Sequence, residues 1–267
     1  ISIEIPLNIC SFFHYNRELI YNLLKAVFRK EKIMTDSKQI TALKEDIKNA
    51  KHVVFLTGAG VSTHSGIPDY RSKNGIYNGV SESPETILSE DTLFNRPDFF
   101  YKFVMNNMYF PHAKPNLIHQ KITEICNEKG SLITQNVDGL DKKSGNKDVT
   151  EFHGSLYNIY CTKCHKPVSY EEYAKSYRHE NCGGIIRPGI VLYGEAINPE
   201  NLSKSVNAMQ NSDLVIISGT SFVVYPFAQL LAYRQAGAKV WAINKTEIPA
   251  AGINSIIGDA LDVFKQL

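Results

Sequence analysis

Short apolar segments alternate with segments of helical periodicity from residue 52 onward. The four apolar segments that stand out are "HVVFLT" (52–57), "SLITQN" (131–136), "DLVIISG" (213–219) and "KVWAIN" (239–244). Helical patterns lie between and beside them, at "PNLIHQKITEICNEKG" (115–130) and "PFAQLLAYRQAG" (226–237). Buried strands separated by helices are typical of a doubly wound parallel sheet. We therefore predict an α/β fold whose ligands bind at the carboxyl ends of the strands.

Two segments interrupt this alternation. Residues 72–112 are rich in aromatic and turn-forming residues, and residues 158–188 contain three of the five cysteines. Neither segment has the strand–helix pattern of the sheet domain. We predict that both are insertions and that together they form a smaller lobe against the sheet, one part helical and the other cysteine-rich.

The overall composition is that of a globular protein and excludes several classes of partner. Of the 267 residues, 43% are hydrophobic and 21% are charged, and the formal net charge is +2. No block of Lys and Arg dominates a segment, and no apolar run is long enough to cross a bilayer, so we expect neither nucleic acid nor membrane as a partner. The odd number of cysteines favours metal-binding thiolates in a reducing compartment, with the cytoplasm as the expected location.

The cysteine-rich segment contains one complete metal-binding pair and one incomplete pair. Cys161 and Cys164 have the C-x2-C spacing, whereas His179 precedes Cys182 at the position where a second pair would have a cysteine. Imidazole is an accepted zinc ligand, and three thiolates with one imidazole are a common structural set. His165 is a rival ligand, although its adjacency to Cys164 makes chelation by both residues awkward. A lobe that has lost its metal is the alternative.

Glycines and polar residues follow the predicted strands. In "TGAGVSTHSGIPDYRS", Gly58 and Gly60 allow a turn that brings backbone amides close to a phosphate, although the GxGxxG dinucleotide fingerprint is absent. Asn136 and Asp138 follow the next strand, and His153 lies beside a glycine in "FHGSL". Each residue also has a structural interpretation, because tight turns, Asx turns and lone histidines occur widely without a ligand.

Five motifs occur in the order "GAGVSTHSGIPDYRS", "TQNVDGL", "FHG", "PGIVLYGE" and "GTSFVVYP", with "IN" (243–244) behind them. Together they resemble the sirtuin family of NAD-dependent protein deacylases, in its bacterial type. The resemblance identifies residues 34–267 as a catalytic domain. It implies a doubly wound NAD-binding sheet without GxGxxG and a smaller lobe made of a helical part and a zinc ribbon. It also implies NAD as a consumed cosubstrate, one structural zinc per chain, and acyl-lysine proteins or peptides as substrates.

The resemblance assigns roles to individual residues. The residues that it places around NAD are Gly58, Ala59, Gly60, Asp69, Tyr70, Arg71, Gln135, Asn136, Asp138, Gly219, Thr220, Ser221, Asn244 and Ala260. Tyr70 stands where the family usually has Phe. Asn136 is also expected to act in catalysis. His153 matches the family base that takes a proton from a ribose hydroxyl, so that this hydroxyl attacks the acyl carbon. The implied products are deacylated lysine, nicotinamide and O-acyl-ADP-ribose.

Substrate and metal residues are implied in the same way. Val191, Tyr193 and Gly194 match an edge strand of the family that pairs with the incoming peptide. The family holds its structural zinc with four cysteines, and here His179 stands in the place of one of them. The resulting zinc ligands are Cys161, Cys164, His179 and Cys182.

Two departures from the family pattern affect the expectations. Asp141 follows Leu140, where the family often has a Leu-His pair, so the contacts behind the site differ. Members that prefer acidic acyl groups carry a Tyr-x-x-Arg pair in the helical insertion. Here Tyr101 is followed three residues later by Val104, so we expect short neutral acyl groups.

Three other functions are alternatives to a deacylase. A mono-ADP-ribosyltransferase would use the same scaffold, with a protein side chain capturing the ribose. A non-catalytic NAD-sensing module would need no base, so His153 argues against it. A hydride-transfer dehydrogenase is poorly supported because GxGxxG is missing.

Residues 1–33 contribute none of the motifs. They show neither the charged start nor the small-residue cleavage site of a secretory signal. We expect this N-terminal extension to be an upstream leader read as protein, with the functional chain starting at Met34. The alternative is an amphipathic helix that docks on a partner or a membrane surface through an apolar stripe, formed by Leu19, Leu23, Val27 and Phe28.

Overall fold

The computed structural model describes residues 37–69, 75–77 and 82–267. The chain divides into two units, residues 1–45 and residues 46–267. Of the first unit, residues 37–45 are described and are helical, as part of helix α1 over residues 37–49. The expectations for residues 1–33, and those for Tyr70 and Arg71, concern residues outside the described ranges.

Eight strands and eight further helices follow α1 in the described part of the chain. The strands are β1 (Val53–Thr57), β2 (Gly130–Thr134), β3 (Val149–Glu151), β4 (Gly154–Cys161), β5 (Ile186–Ile190), β6 (Leu214–Ser218), β7 (Lys239–Asn244) and β8 (Asn254–Ile257). The helices are α2 (Pro84–Ile87), α3 (Glu90–Asn95), α4 (Pro97–Asn107), α5 (Leu117–Lys129), α6 (Leu140–Lys143), α7 (Tyr170–Tyr173), α8 (Pro199–Asn211) and α9 (Ala260–Phe264). Among the described residues, no helix is long and apolar enough to span a bilayer.

Six parallel strands form the larger sheet, in the order β3-β2-β1-β6-β7-β8. The central strands β1 and β6 read "VVFLT" and "LVIIS", and all their residues are buried, as expected for strands covered on both faces. From β1 the sheet grows in one direction and from β6 in the other, so the topological switch point lies between these two strands. Thr57 is level with Thr134 on one side and Ser218 on the other. The loops that follow three strands therefore meet at one edge.

Described parts of both segments that interrupt the alternation pack into one hydrophobic core of their own. Strands β4 and β5 form an antiparallel ribbon that is separate from the large sheet. Phe100 and Val104 of α4 share one hydrophobic core with Leu156 and Ile186 of this ribbon. The predicted fold class is thus confirmed: a doubly wound parallel sheet carries a smaller lobe, part helical and part cysteine-rich ribbon.

One predicted helix has a different geometry. The segment at 226–237 forms a 3-10 helix over Phe227–Tyr233 instead of an α-helix. A 3-10 helix has three residues per turn, so Phe227 and Leu230 lie on the same face. Both side chains are buried in the core that includes Val54 and Ile217 of the central strands. Residues three apart also share a face in an α-helix, so the sequence pattern predicts a helix here without deciding between the two geometries.

Candidate active site and metal centre

A cavity of about 710 Å³ lies at the carboxyl ends of β1, β2, β6 and β7. Most of the residues predicted to bind NAD or substrate, or to act in catalysis, line this cavity. These are Ala59, Gly60, Asp69, Gln135, Asn136, His153, Val191, Tyr193, Gly194, Gly219, Thr220, Ser221, Asn244 and Ala260. Asp138 lies in a small adjoining cavity that shares Asn136 with the large one. Gly58 is not among the lining residues, although Ala59 beside it is.

Two glycine loops touch at the switch point. Gly60 N–H donates to Gly219 O at 2.8 Å. A Cβ on Gly60 would lie 2.7 Å from Gly219 Cα, and a Cβ on Gly219, whose φ is +64°, would lie 2.5 Å from Val61 N. Both positions therefore require glycine, for close approach and, at Gly219, for its left-handed backbone. This contact explains how the chain can present backbone to a ligand without the GxGxxG spacing.

Asn244 fixes the second of these loops. Its side chain accepts a hydrogen bond from Thr220 N–H at 3.2 Å and donates to Thr220 O at 2.8 Å. Thr220 Oγ1 in turn donates to Gln135 Oε1 at 3.1 Å. The amide nitrogen of Gln135 is buried and has no hydrogen-bond partner among the described residues. Gln135 thus reaches the cavity with one donor that a ligand oxygen can satisfy.

Ser62 organises the polar residues next to this cavity. It donates to Asp138 Oδ2 at 2.7 Å and accepts from Asn136 Nδ2 at 3.1 Å. His119 Nε2 lies 3.4 Å from the same hydroxyl. The other ring nitrogen of His119 accepts from Asn116 N–H at 3.2 Å, so the proton of the neutral ring is on Nε2. Burial lowers the pKa of His119 to about 4, which keeps this ring neutral.

Ser62 and His119 were not among the predicted site residues. Ser62 lies inside the "GAGVSTHSGIPDYRS" motif, where its sequence position alone gives it no role. His119 lies in the first turn of α5, which begins at Leu117 because Asn116 caps it, two residues later than the pattern starting at Pro115 suggested. Its spacing in the helix resembles that of a core residue, so only the fold reveals that it faces Ser62.

His153 lies at the junction of the sheet domain and the ribbon. Its ring packs near Phe152 and Phe227, with centroids 5.4 and 6.2 Å away. Burial lowers the pKa of His153, and the contact with the backbone of Gln135 only partly offsets this effect. The imidazole is therefore neutral near pH 7, which is the form that accepts a proton.

The segment after β5 runs along the cavity. Strand β5 ends at Ile190, so Val191, Tyr193 and Gly194 lie beyond it and not in an edge strand. Val191 N–H donates to His153 O at 2.9 Å, and Tyr193 N–H donates to Leu88 O at 2.8 Å. These bonds hold the segment in place between the histidine and the helical part of the smaller lobe.

Four metal-ligating side chains converge at one end of the ribbon. The sulfur atoms of Cys161, Cys164 and Cys182 and a ring nitrogen of His179 all lie within 4.8 Å of one another. His179 Nδ1 is 3.3 Å from Cys164 Sγ and 3.2 Å from Cys182 Sγ. Tetrahedral zinc with Zn–S bonds of about 2.3 Å would separate its ligand atoms by about 3.8 Å, so the group fits this ion. His165 is not part of the group.

Asp141 is buried behind the polar network. Its Oδ1 atom has no hydrogen-bond partner among the described residues. Burial, and to a smaller extent the nearby Asp138, raise the pKa of Asp141 to about 8, although a hydrogen bond with Thr134 opposes the shift. The side chain that departs from the family pattern is therefore largely protonated at neutral pH.

Replacing Asp141 tests this conclusion. The unfolded chain releases this proton near pH 4 and the folded chain near pH 8, so the residue costs more stability as the pH rises between these values. Asp141→Asn should therefore raise the free energy of unfolding relative to wild type, by an amount that grows by up to about 1.4 kcal/mol per pH unit in this range. Urea titrations at several pH values measure it. Asp262→Asn on the exposed face of α9 is the control, and a pH-independent gain for Asp141→Asn would contradict the assignment.

Metal analysis tests the ligand set. His179→Ala should lose most of the zinc that copurifies with the wild type, because the variant keeps only three ligands. His165→Ala is the matched control and should retain about one zinc per chain. Affinity should fall as the pH falls, because the thiols must be deprotonated to bind. Equal zinc content in the two variants, measured by mass spectrometry, would exclude His179 from the site.

Comparison with known proteins agrees with the geometry. The Sir2 family model matches residues 58–226. An NAD-dependent protein deacetylase of Listeria monocytogenes serotype 4b is 52% identical over 227 residues, which covers 84% of this chain and 99% of the relative. Another of the same name, from Lactiplantibacillus plantarum, is 46% identical over 229 residues, covering 85% and 97%.

Solved structures show the same relationship. A Sir2 variant with a deacetylated p53 peptide and 3'-O-acetyl ADP ribose superposes with a TM-score of 0.78 and 32% identity, covering 85% of this chain and 96% of the other. A Sir2 complex with a p53 peptide and NAD⁺ has a TM-score of 0.75 and 30% identity, with coverage of 84% and 95%. On this evidence, and as the order of its motifs predicted, the chain belongs to the Sir2 family, the sirtuins.

Proposed function

We propose that this protein is an NAD-dependent protein-lysine deacetylase that releases nicotinamide and O-acyl-ADP-ribose. The observation that carries the proposal is the position of His153. Its neutral imidazole shares one cavity with the glycine loops, Gln135 and Asn136, and its carbonyl is bonded to the segment at Val191. The names of the bacterial relatives and the acetyl-ADP-ribose and peptide in a structural neighbour support the same reaction.

The residues present fit NAD. The loops at Gly60 and Gly219 let backbone approach a diphosphate closely, and the free amide donor of Gln135 suits a ribose hydroxyl. Asn136 and Asp138, held by Ser62, offer an amide and a carboxylate of the kind that recognise a carboxamide. The further residues that we assign to NAD are Gly58, Ala59, Asp69, Tyr70, Arg71, Thr220, Ser221, Asn244 and Ala260.

The chemistry requires positioning more than strong acids or bases. NAD supplies an electrophilic ribose carbon when its cationic nicotinamide leaves, and the attacking amide oxygen of acyl-lysine is a weak nucleophile. The protein therefore contributes orientation and exclusion of water. His153 then accepts a proton from a ribose hydroxyl, which its lowered pKa allows near pH 7.

The acyl-lysine side chain enters beside the segment that contains Val191, Tyr193 and Gly194. Apolar residues line this part of the cavity, namely Leu88, Met108, Ile190, Val191 and Leu192. Lys245 is the one Lys or Arg among the described residues that line the cavity as a whole, and it follows Asn244 at the end of β7. This surface favours a short neutral acyl group over an acidic one, as the absence of Arg three residues after Tyr101 also suggests.

Zinc at Cys161, Cys164, His179 and Cys182 would tie the two strands of the ribbon together and take no part in the chemistry. Because its three thiols must stay reduced, we also propose that the protein works in the cytoplasm.

Removing the proposed base tests the mechanism. His153→Ala should still fold and bind NAD but should lose about 10²- to 10⁴-fold in deacetylation rate, the usual contribution of a positioned base. Mass spectrometry of the products from NAD and an acetyl-lysine peptide measures this rate and identifies O-acetyl-ADP-ribose. His112→Ala, at an exposed histidine, is the control. Normal turnover in His153→Ala would exclude this role, and ADP-ribose attached to protein would favour a mono-ADP-ribosyltransferase.

The choice of acyl group is a separate test. Acetyl-lysine peptides should have a higher kcat/KM than succinyl-lysine peptides of the same sequence, because the described part of the apolar wall offers no Arg to pair with a carboxylate. Competition between the two peptides at limiting enzyme measures the ratio directly. A preference for succinyl-lysine would show that a cation reaches the acyl group.

A further inference from the structure

Arg187 is a buried cation that the proposed reaction does not use. Its guanidinium belongs to β5, and the residue is only 4% exposed. Nε donates to Pro188 O at 3.1 Å, and Nη2 donates to Ile190 O at 2.6 Å. The same group donates to both carboxylate oxygens of Glu195, from Nη1 to Oε1 and from Nη2 to Oε2 at 3.0 Å. One guanidinium is thus hydrogen-bonded to three residues of the chain between 188 and 195.

Glu195 closes this arrangement from the other end. Its Oε2 atom also accepts from Leu192 N–H at 2.9 Å. Burial alone would raise the pKa of Glu195, but hydrogen bonds from Arg187 and from the Leu192 amide outweigh burial and lower it. The pair is therefore ionised, and it fixes the segment at Ile190, Leu192 and Glu195.

The segment held in this way is the one proposed to bind the peptide. Ile190, Val191, Leu192, Tyr193, Gly194 and Glu195 all line the cavity. Val191 N–H is bonded to His153 O, so the position of the segment relative to the base depends on how the chain leaves β5.

The backbone of Arg187 lies one register position from a proposed zinc ligand. Arg187 pairs with Tyr160 across the ribbon, and the next pair is Ile186 with Cys161.

We propose that Arg187 and Glu195 are a positioning pair, which holds residues 190–195 in the conformation that binds the acyl-lysine peptide. This inference rests on the proposed function, because it assigns the peptide to this segment. General stability is a weak explanation for the pair, because the desolvation of two buried charges offsets much of their attraction. A fixed geometry, in contrast, requires the planar, forked group that arginine has and lysine lacks.

The hydrogen bonds also predict which substrate is affected. All the side-chain hydrogen bonds of Arg187 that the structure describes go to residues 188–195, and none goes to the glycine loops at Gly60 and Gly219. Loss of the pair should therefore weaken peptide binding and leave NAD binding intact.

Arg187→Lys and Glu195→Gln test the proposal. Each should raise KM for an acetyl-lysine peptide by about 10- to 100-fold, the range expected when hydrogen bonds to a buried charge are lost. The affinity for NAD should stay within about twofold, and zinc should stay at about one per chain, because the described side-chain hydrogen bonds of the pair reach neither the glycine loops nor the proposed zinc ligands. An unchanged peptide KM in folded, zinc-loaded variants overturns the proposal. An equal loss of NAD and peptide affinity also overturns it, since that result indicates a general structural defect.

The exposed pair Arg96–Glu82 provides a matched control. It has the same two-pronged geometry, with N–O distances of 2.7 and 2.9 Å. Arg96→Lys should leave peptide KM within about twofold, because exposed ion pairs contribute little.

Direct binding of a fluorescent acetyl-lysine peptide separates this inference from the proposed function. If the wild type makes no acetyl-ADP-ribose, the proposed deacetylase function is contradicted. If both variants bind the peptide as tightly as the wild type does, only the positioning role is contradicted.

Hydrogen exchange on the unmodified protein covers the case in which neither variant folds. Leu192 N–H, which donates to Glu195, should exchange slowly before any peptide is added, because the pair already holds the segment. Exchange as fast as that of an exposed loop would show that the segment is not held in advance, and would overturn the proposal.

Discussion

The contact between the glycine loops at Gly60 and Gly219 is the constraint on which the site depends. Strands β1 and β6 are paired in register, so the loops that follow them leave the sheet side by side. Only glycine allows these loops to come within hydrogen-bonding distance, because a Cβ on either residue would meet backbone atoms of the opposite loop. The wall of the cavity at the switch point is therefore largely backbone, which suits a ligand with a diphosphate.

Two hydrogen-bond networks extend this contact to the side chains. Asn244 and Thr220 hold the second loop and lead to Gln135, whereas Ser62 leads from the first loop to Asn136 and Asp138. A reaction with a weak nucleophile depends on such preorganisation more than on any single strong group. The buried carboxyl of Asp141 lies behind the network of Ser62, Asn136 and Asp138. Because Asp141 is protonated there, it does not place a second negative charge beside Asp138.

The parallel sheet and the loops that carry the site were predictable from the sequence, because four buried strands each end in an unusual polar or glycine-rich turn. The edge strands β3 and β8 were not among the predicted strands. The predicted residues at Gly60, Asn136, His153 and Gly219 do meet in one cavity. His119 was not predictable, because a histidine at helical spacing has no pattern that distinguishes core packing from a polar network. The helix at Phe227–Tyr233 was predicted, but its 3-10 geometry was not, because the spacing of Phe227 and Leu230 fits both kinds of helix.

The smaller lobe contains both the group of proposed zinc ligands and the segment that we propose binds the peptide. The proposed zinc ligands lie at one end of the ribbon, Arg187 extends from its second strand to Glu195, and Val191 between them is bonded to His153 O. An apolar pair of the same size could stabilise the fold equally well, because burying two charges is costly. It could not bind two carbonyls and a carboxylate at once, so the ion pair is better explained by the single backbone conformation that it imposes on residues 190–195.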